Sequence, residues 1–424
     1  MKDKIGKIIF DNIVTIIFVV LCLLGVVASK LPIFFITHQL LLRIARNSFL
    51  VLSLIIPVLA GMGLNFGIVV GAMAGQIALV FVTHMALQGY TLFTGVPGFF
   101  ISVIICTPIS ILFGWITGLI LNKTKGQEMI TSMMLGFFAN GLYQLLFLFL
   151  VGTLIPMKDP VLMISGGIGI KNVVDLNHSV RYAVDNIVKK PLPVLLFIIG
   201  ILGLLLSIWL IYKLSKDQVY KKKIGNKPYT YVGISGLLIA LGIYLNVSGS
   251  IFATIQVPIS TYIVIVVLCI FNVLIVKTKL GQDFRTVGQN RHIAQVAGIN
   301  VDKVRIISII VSTVLAGWGQ LIFLQNLGIL NTYGSHEQAG MFAVAALLIG
   351  GASVSRATIG QGILGVALFH TLFIVSPQAG KNLFGNAQIG EYFRTFVAYG
   401  VIGVSLGLHA WKSLIVEKRK RSIG

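Results

Sequence analysis

Long apolar runs, separated by short polar segments, constrain the fold of this 424-residue chain more than any other feature. A straight helix needs about 20 consecutive, mostly apolar residues to cross the hydrocarbon layer of a bilayer. The candidate runs lie near residues 12–29, 48–63, 65–87, 99–121, 129–151, 191–212, 229–247, 258–276, 306–324, 341–351, 358–375 and 393–411. The sequence therefore predicts an all-α, polytopic membrane protein of about 10–12 transmembrane helices.

Two of these runs, 48–63 and 341–351, are too short for a straight span. We expect them to form broken or re-entrant helices that other parts of the protein bury, because an unpaired backbone is not tolerated in contact with lipid, or to form one half of a kinked span. The stretch from Leu31 to Asn47, which carries Arg43 and Arg46, has two interpretations. It is either an interfacial helix with its basic residues at the headgroup level or a continuation of the next span.

The composition agrees with a membrane protein. Hydrophobic residues make up 56% of the chain and charged residues 11%, whereas soluble domains have about 25% charged residues. The three cysteines, Cys22, Cys106 and Cys269, lie far apart inside apolar runs. Their spacing fits neither a metal site nor a disulfide framework, so we predict no metal and no cofactor.

The net charge of +21 follows from the membrane topology. If the N-terminus lies in the cytoplasm and the spans alternate, 23 of the 33 basic residues fall on the cytoplasmic side, as the positive-inside rule requires. The chain is then one transmembrane domain, 1–424, with both termini cytoplasmic and no nucleic-acid partner. Its three main polar segments are a cytoplasmic loop at 277–305, an external loop at 152–190 and a basic cytoplasmic tail at 412–424.

The polar island, Lys277–Arg305, is the longest mixed polar segment on the predicted cytoplasmic side. Asn290 is a suitable N-cap for a short helix, and Gly298 lies where a left-handed residue would end it. Asn300 can cap the next helix, which enters the membrane at Ile306. These signals predict a short amphiphilic helix along the membrane surface, in a position where a soluble partner can bind it.

The run from Val287 to Arg305, with the following span containing LAGWGQ, resembles a loop in the ABC-importer permeases for branched-chain amino acids, simple sugars and nucleosides. In that family the loop reads roughly G-x-N-x-x-A-A-x-x-A-G-I-x-V and forms the coupling helix that docks into the ATPase subunit. Ile293 departs from the family pattern, which usually has a pair of small residues at this point. The positions carried over to the ATPase contact are Gly288, Asn290, Arg291, Ala294, Ala297, Gly298 and Ile299, and Val301 also matches the pattern.

The resemblance implies the fold, the partners and the location of the protein. The expected fold is that of a type II ABC importer in the bacterial cytoplasmic membrane. The expected partners are an ABC ATPase, an extracytoplasmic solute-binding protein and a second permease copy or paralogue, all assembled at the lipid bilayer.

The implied solute is a simple sugar or a nucleoside, with branched-chain amino acids as the alternative. The segments Leu64–Gln76 and Gln127–Gly141 resemble the nucleoside branch of the family, whereas Ala343–Leu368 resembles the sugar branch.

The chemistry of the chain points to a transporter that is powered by a separate protein. No GxxxxGK[ST] loop is present, so the sequence predicts no P-loop ATP site. No nucleophile triad or paired carboxylates support an enzyme. All twelve carboxylates lie at termini, in loops or at span ends, and we expect no buried acid of the kind that ion-coupled carriers use. An ion-coupled secondary transporter is therefore the less favoured alternative.

Neutral polar residues inside the spans are the candidates for the transport path. Asn65 lies in a glycine-rich break, and the others are Gln76, Asn140, Gln144, Trp318 and Gln320. Amides and an aromatic ring suit a neutral solute rich in hydroxyl or amide groups. The alternative, which the sequence leaves open, is that these residues hold helices together.

Overall fold

The computed structural model describes residues 12–124, 126–216 and 227–421, without the side chains of 214–216, 227, 405, 406 and 408–421. The basic N-terminal residues therefore lie outside the described part of the chain. The same holds for most side chains of the basic segment 213–228 and for those of the tail 412–424.

The described residues form a bundle of helices with four very short strands. The first helices are α1 (Ile13–Ser29), α2 (Ile33–Ser53), α3 (Ile55–Leu59), α4 (Ile68–Leu87), α5 (Gly95–Lys123) and α6 (Glu128–Leu145). They are followed by α7 (Leu192–Lys216), α8 (Lys227–Val247), α9 (Ile259–Lys277), α10 (Lys279–Gln289), α11 (Arg291–Val296), α12 (Val301–Leu327), α13 (Ser335–Ile349), α14 (Ile359–Phe384) and α15 (Ala387–Arg421). Among the described residues, 9 helices are long and apolar enough to cross a membrane, and α1 is a shorter apolar helix. The predicted all-α, polytopic fold is confirmed.

The connections between helices collect at two ends of the bundle. At one end, the segment 60–67 contacts the polar island and the start of α6. At the opposite end, β1 (Val173–Asp175) pairs with β4 (Ile329–Asn331), and β2 (Lys189–Pro191) pairs with β3 (Gln256–Pro258), both antiparallel. The polar island and the loop 152–190 therefore lie at different ends, as alternating spans require.

Both short apolar runs form broken helices. Helix α2 runs without interruption from the Leu31–Asn47 stretch into the 48–63 run. The interpretation of this stretch as a continuation of the next span is therefore correct, and its interpretation as an interfacial helix is wrong. The chain kinks at Leu54, forms the 5-residue α3 around Pro57 and then leaves the helical conformation at 60–67. The second run lies in α13, which is only 15 residues long, ends at Ile349 and is followed by Gly350.

Helix α12, which follows the polar island, lies in the centre of the bundle. It packs closely on α4, where a Cβ at Gly71 would lie 2.4 Å from the carbonyl oxygen of Thr313. One turn further on, a Cβ at Gly75 would lie 2.7 Å from the carbonyl oxygen of Gly317. Small residues four apart let two membrane helices approach this closely. The polar island is therefore joined directly to a helix in the interior of the bundle.

Candidate functional site

The short helix of the polar island has the caps that the sequence predicts. The side-chain oxygen of Asn290 accepts a hydrogen bond from the backbone N–H of Ile293 at 3.1 Å, and that of Asn300 accepts one from Lys303 at 2.9 Å. Gly298 has a φ of +79°, a conformation that glycine adopts without steric cost. Local chemistry therefore determines the path of the chain from α10 through α11 to α12.

The island presents apolar side chains at its surface. Ile293 is 60% exposed and Val296 is 77% exposed, whereas Ala294, in the same helix α11, is fully buried. Of the other residues carried over from the family pattern, Gly288, Asn290, Ala297 and Gly298 are exposed, and Arg291 and Ile299 are half-buried. Two large exposed aliphatic side chains on a six-residue helix are typical of a surface that another protein covers.

Two glycines bring the island against the break in the early span. A Cβ at Gly288 would lie 2.2 Å from the carbonyl oxygen of Leu59, and a Cβ at Gly61 would lie 2.7 Å from the Cα of Gly288. Contacts of this length leave no space for a side chain at either position. The backbone of the island therefore rests directly on the backbone that ends α3.

A buried cluster of charges lies beside this backbone contact. The Glu128 carboxylate accepts hydrogen bonds from Arg291, at 2.7 Å, and from Arg305. Arg305 is fully buried and also donates to the side-chain oxygen of Asn122 at 2.9 Å. Arg291 also donates to the carbonyl oxygen of Gly61 at 3.3 Å. We name these five residues the coupling junction: Gly61, Glu128, Gly288, Arg291 and Arg305.

The expectation of no buried acid is wrong for two residues. Glu128 and Asp185 do lie at a span end and in a loop, but they are only 7% and 2% exposed. Each carboxylate is buried because donors surround it. Glu128 has its two arginines, and Asp185 accepts hydrogen bonds from Thr261, Gln325 and Asn326. Both acids are committed to protein partners, unlike the free acid that an ion-coupled carrier requires.

A second group of polar residues meets in the interior of the bundle. The Gln76 side-chain oxygen accepts a hydrogen bond from the Tyr143 hydroxyl at 2.8 Å and lies 2.8 Å from Nδ1 of His336. The Gln76 amide nitrogen donates to the Ser335 hydroxyl. On the far side of the imidazole, Nε2 lies 2.9 Å from the side-chain oxygen of Asn140. We name these residues the polar cluster: Gln76, Asn140, Tyr143, Ser335 and His336.

Two further predicted residues border the polar cluster. Gln144 donates to Asn140 at 3.5 Å, and the Gln320 amide nitrogen lies 3.4 Å from the Ser335 hydroxyl. The side-chain oxygen of Gln320 is buried and has no hydrogen-bond partner among the described residues.

A narrow cleft of about 10 Å³, with space for about one water molecule, lies beside the polar cluster. It is lined by Phe66, Val69, Met133, Gly136, Phe137, Asn140, Glu337 and Met341. The Glu337 carboxylate accepts a hydrogen bond from the Asn140 amide at 3.3 Å. The cleft therefore combines aromatic surface with an amide and a carboxylate, and no cationic side chain is among these eight lining residues.

The other two predicted path residues lie apart from the polar cluster. Asn65 is buried in the break, where its side-chain oxygen accepts a hydrogen bond from the backbone N–H of Gly67 at 3.0 Å. Trp318 donates to the Thr107 hydroxyl at 3.0 Å and so joins α12 to α5. For Trp318 the geometry favours the alternative of a contact that holds helices together.

Sequence reasoning missed the residues at the centre of both sites. Arg305 and Glu128 looked like ordinary flanking charges, although an arginine one residue before an apolar run is a possible signal of a buried ion pair. His336 and Glu337 form part of a polar run, Ser335–Gln338, at the start of an apolar run too short to span. The available signal was the polar segment at the start of a helix too short to cross the membrane, because such a helix ends inside the protein.

The fold is that of a multi-pass membrane protein, with 9 candidate spans among the described residues. A family model described as the permease component of the branched-chain amino acid transport system matches residues 187–406. The match covers just over half of the chain and includes the polar island. The chain therefore belongs to this family of ABC-transporter permeases.

Four named relatives are similar to parts of the chain. A probable ABC transporter permease protein, YphD of Escherichia coli, is 32% identical over 35% of this chain and 43% of its own length. A probable branched-chain amino acid permease, LivH of Methanocaldococcus jannaschii, is 28% identical over 53% of this chain and 75% of its own.

The other two relatives have different solutes in their names. The xylose permease XylH of Haemophilus influenzae is 27% identical over 46% of this chain and 49% of its own length. The nucleoside permease NupC of Lactococcus lactis is 28% identical over 40% and 51%. The chain thus spans about half the length of three of these relatives, and their names do not agree on a solute. No solved structure matches the chain significantly.

Proposed function

We propose that this chain is the permease subunit of an ABC importer, in which a separate ATPase powers the movement of a small solute into the cytoplasm. The coupling junction is the observation that carries the proposal. Arg291, on the exposed helix α11, pairs with Glu128 at the start of α6 and donates to the carbonyl oxygen of Gly61 in the broken span, while Gly288 packs on Gly61. A force applied at α11 by a soluble partner would therefore reach the interior of the bundle.

The proposed assembly follows from the two ends of the bundle. The ATPase binds the end that carries the polar island, which faces the cytoplasm of a bacterial cell together with both termini. A solute-binding protein delivers the solute to the opposite end. A second copy of the chain, or a paralogue, completes the pathway in the cytoplasmic membrane.

We infer a simple sugar or a nucleoside from the side chains that line the cleft, which would have to widen from about 10 Å³ to admit either solute. Phe66 and Phe137 offer aromatic surface, while Asn140 and Glu337 offer hydrogen-bond partners for hydroxyl groups. A branched-chain amino acid is the second candidate, and the family model and LivH favour it. Its carboxylate would need a cationic partner, and the lining residues of the cleft include none.

The energy source and the solute can be tested together in right-side-out vesicles from cells that carry the intact transporter, with ATP inside the vesicles and the solute-binding protein outside. We expect uptake of radiolabelled uridine or xylose to stop when ATP is withheld and to survive collapse of the proton gradient. Cells lacking this gene serve as the control for uptake by other systems. Uptake driven by an imposed ion gradient without nucleotide would contradict the importer assignment, whereas ATP-dependent uptake of leucine alone would change only the solute.

Replacing Val296 with aspartate should break the contact with the ATPase without unfolding the permease. The side chain is 77% exposed, so the folded permease loses little, but a charge would enter an apolar interface. A substitution at a residue that dominates an interface costs about 2 kcal/mol or more of binding free energy, which weakens binding roughly 30-fold. Co-purification and the affinity for the ATPase measure the effect. Gln282→Asp adds the same charge on the exposed face of α10 and should leave binding within about threefold of the wild type.

Replacing Glu337 with glutamine should lower the maximal rate of uptake by about 10- to 100-fold, the worth of a hydrogen bond to a charged group. The glutamine side-chain oxygen can still accept from Asn140, so we expect the thermal stability to change little. Glu391→Gln is the matched control, because that carboxylate pairs with Arg394 outside the cleft. Normal uptake by Glu337→Gln, or an equal loss in both variants, would remove the cleft from the transport path.

A further inference from the structure

A second cavity lies at the end of the bundle opposite the polar island. Its volume is about 360 Å³, and it is bounded by α2, by the loop before β2 and by the end of α12. The polar residues that line it are His38, Arg46, Tyr182, Asp185, Lys189, Gln256 and Asn326. It shares no residue with the polar cluster or with the cleft, so the function proposed for those residues does not account for it.

Arg46 is the unusual member of this lining. It lies within a predicted span, on the same face of α2 as His38 and Leu42, because positions four residues apart share one side of a helix. Arg46 makes no ion pair with any described residue, and its Nε is buried without a hydrogen-bond partner. Its guanidinium lies 5.7 Å from the centre of the Phe323 ring. An arginine at membrane depth is costly and ordinarily has an anionic partner.

No other charge of the cavity forms an ion pair with Arg46 among the described residues. Asp185 is the single carboxylate among the lining residues, and its oxygens already accept hydrogen bonds from Thr261, Gln325 and Asn326. Lys189 adds a second cation, with its Nζ 5.1 Å above the Tyr182 ring. The arginine, lysine and aspartate side chains of the lining sum to one positive charge.

We propose that this cavity binds a singly charged oxyanion, with Arg46 as the main ligand and Lys189 as the second. A phosphodiester or a monobasic phosphate has the required charge and accepts the forked donors of a guanidinium. Such a group can come from the headgroup of an anionic phospholipid or from free phosphate. Leu42, Pro258 and Leu327 form the apolar wall of the same cavity and would contact the non-polar part of a lipid.

The two sources are separated by thermal unfolding of the full-length protein in lipid nanodiscs. One sample contains only phosphatidylcholine and is titrated with sodium phosphate at pH 6 and constant ionic strength. The other contains one-fifth phosphatidylglycerol and no phosphate. We expect at least one anion to raise the unfolding midpoint by about 2–4 °C, because a ligand that binds only the folded state stabilises it.

Arg46→Gln should abolish that shift, and Arg46→Lys should keep part of it. Arg43→Gln is the matched control, since Arg43 lies on the same helix and does not line the cavity. If Arg46→Gln does not fold, Lys189→Gln tests the same site from an exposed position and should reduce the shift by at least half. The proposal is overturned if neither anion raises the midpoint, or if Arg43→Gln loses the shift as completely as Arg46→Gln.

Discussion

Replacement of Glu128 with alanine should destabilise this permease by about 3–5 kcal/mol, because it leaves Arg305 charged, fully buried and without its carboxylate. The guanidinium would retain Asn122 as a neutral acceptor, which compensates only part of the lost charge. We expect low yields of folded protein and a large fall in the midpoint of thermal unfolding in detergent or nanodiscs.

Asp302→Ala is the matched control for the loss of a carboxylate. Asp302 lies in the first turn of α12, three residues before Arg305, but its side chain is exposed. Its removal should cost less than about 1 kcal/mol, the usual contribution of an acid at a helix N-terminus. Similar losses for Asp302→Ala and Glu128→Ala would show that the buried ion pair does not contribute more than a surface charge.

The double variant Glu128→Met/Arg305→Met separates the structural role of the ion pair from its role in coupling. Replacing a buried pair by apolar residues of similar size is often neutral for stability. We therefore expect the double variant to fold but to lose the stimulation of ATP hydrolysis by solute-loaded binding protein, since Arg291 loses its contact to Glu128. Full stimulation in a folded double variant would contradict the proposed role of the coupling junction.

Gly288→Val should uncouple ATP hydrolysis from transport. A Cβ at this position would lie 2.2 Å from the carbonyl oxygen of Leu59, so the polar island must move away from the break. The exposed surface of α11 is unchanged, and the ATPase should still bind. We expect basal ATP hydrolysis to persist while solute uptake falls roughly 5- to 150-fold, the usual range of coupling between two sites.

Gly360→Val is the control for this substitution. Gly360 lies near the start of α14, and no atom comes within 4 Å of a Cβ placed there. Uptake per folded complex should stay within about twofold of the wild type, since an exposed glycine-to-valine change in a helix alters stability only slightly. Uptake at wild-type levels in Gly288→Val would show that the glycine contact does not transmit the motion.

Features that depend on local chemistry could be predicted from the sequence. The spans follow from the length of the apolar runs, since each helix satisfies its own backbone hydrogen bonds in lipid. The caps at Asn290 and Asn300 and the left-handed Gly298 were also predictable, because each depends on residues within one helical turn. The same reasoning identified the island and its family resemblance.

The partners of the polar residues could not be predicted in this way. Gln76 and His336 are 260 positions apart, and Glu128 and Arg305 are 177 apart. The sequence around an isolated amide in an apolar run is the same whether its hydrogen-bond partner is a histidine, a solute or a group on a neighbouring helix. Of the six path candidates, Gln76, Asn140, Gln144 and Gln320 lie in or beside the polar cluster, whereas Trp318 contacts Thr107 and Asn65 lies in the break.

The sequence by itself determined that the chain is a bundle of membrane helices with a capped, exposed helix at one end. Only the tertiary structure decided that Glu128 is buried between two arginines, that His336 is the centre of the polar cluster and that Arg46 faces a cavity without an anionic partner. The physical reason is the range of the interactions. Hydropathy and capping act within a span or a turn, whereas the burial of a charge is tolerated only when distant helices bring its partners to hydrogen-bonding distance.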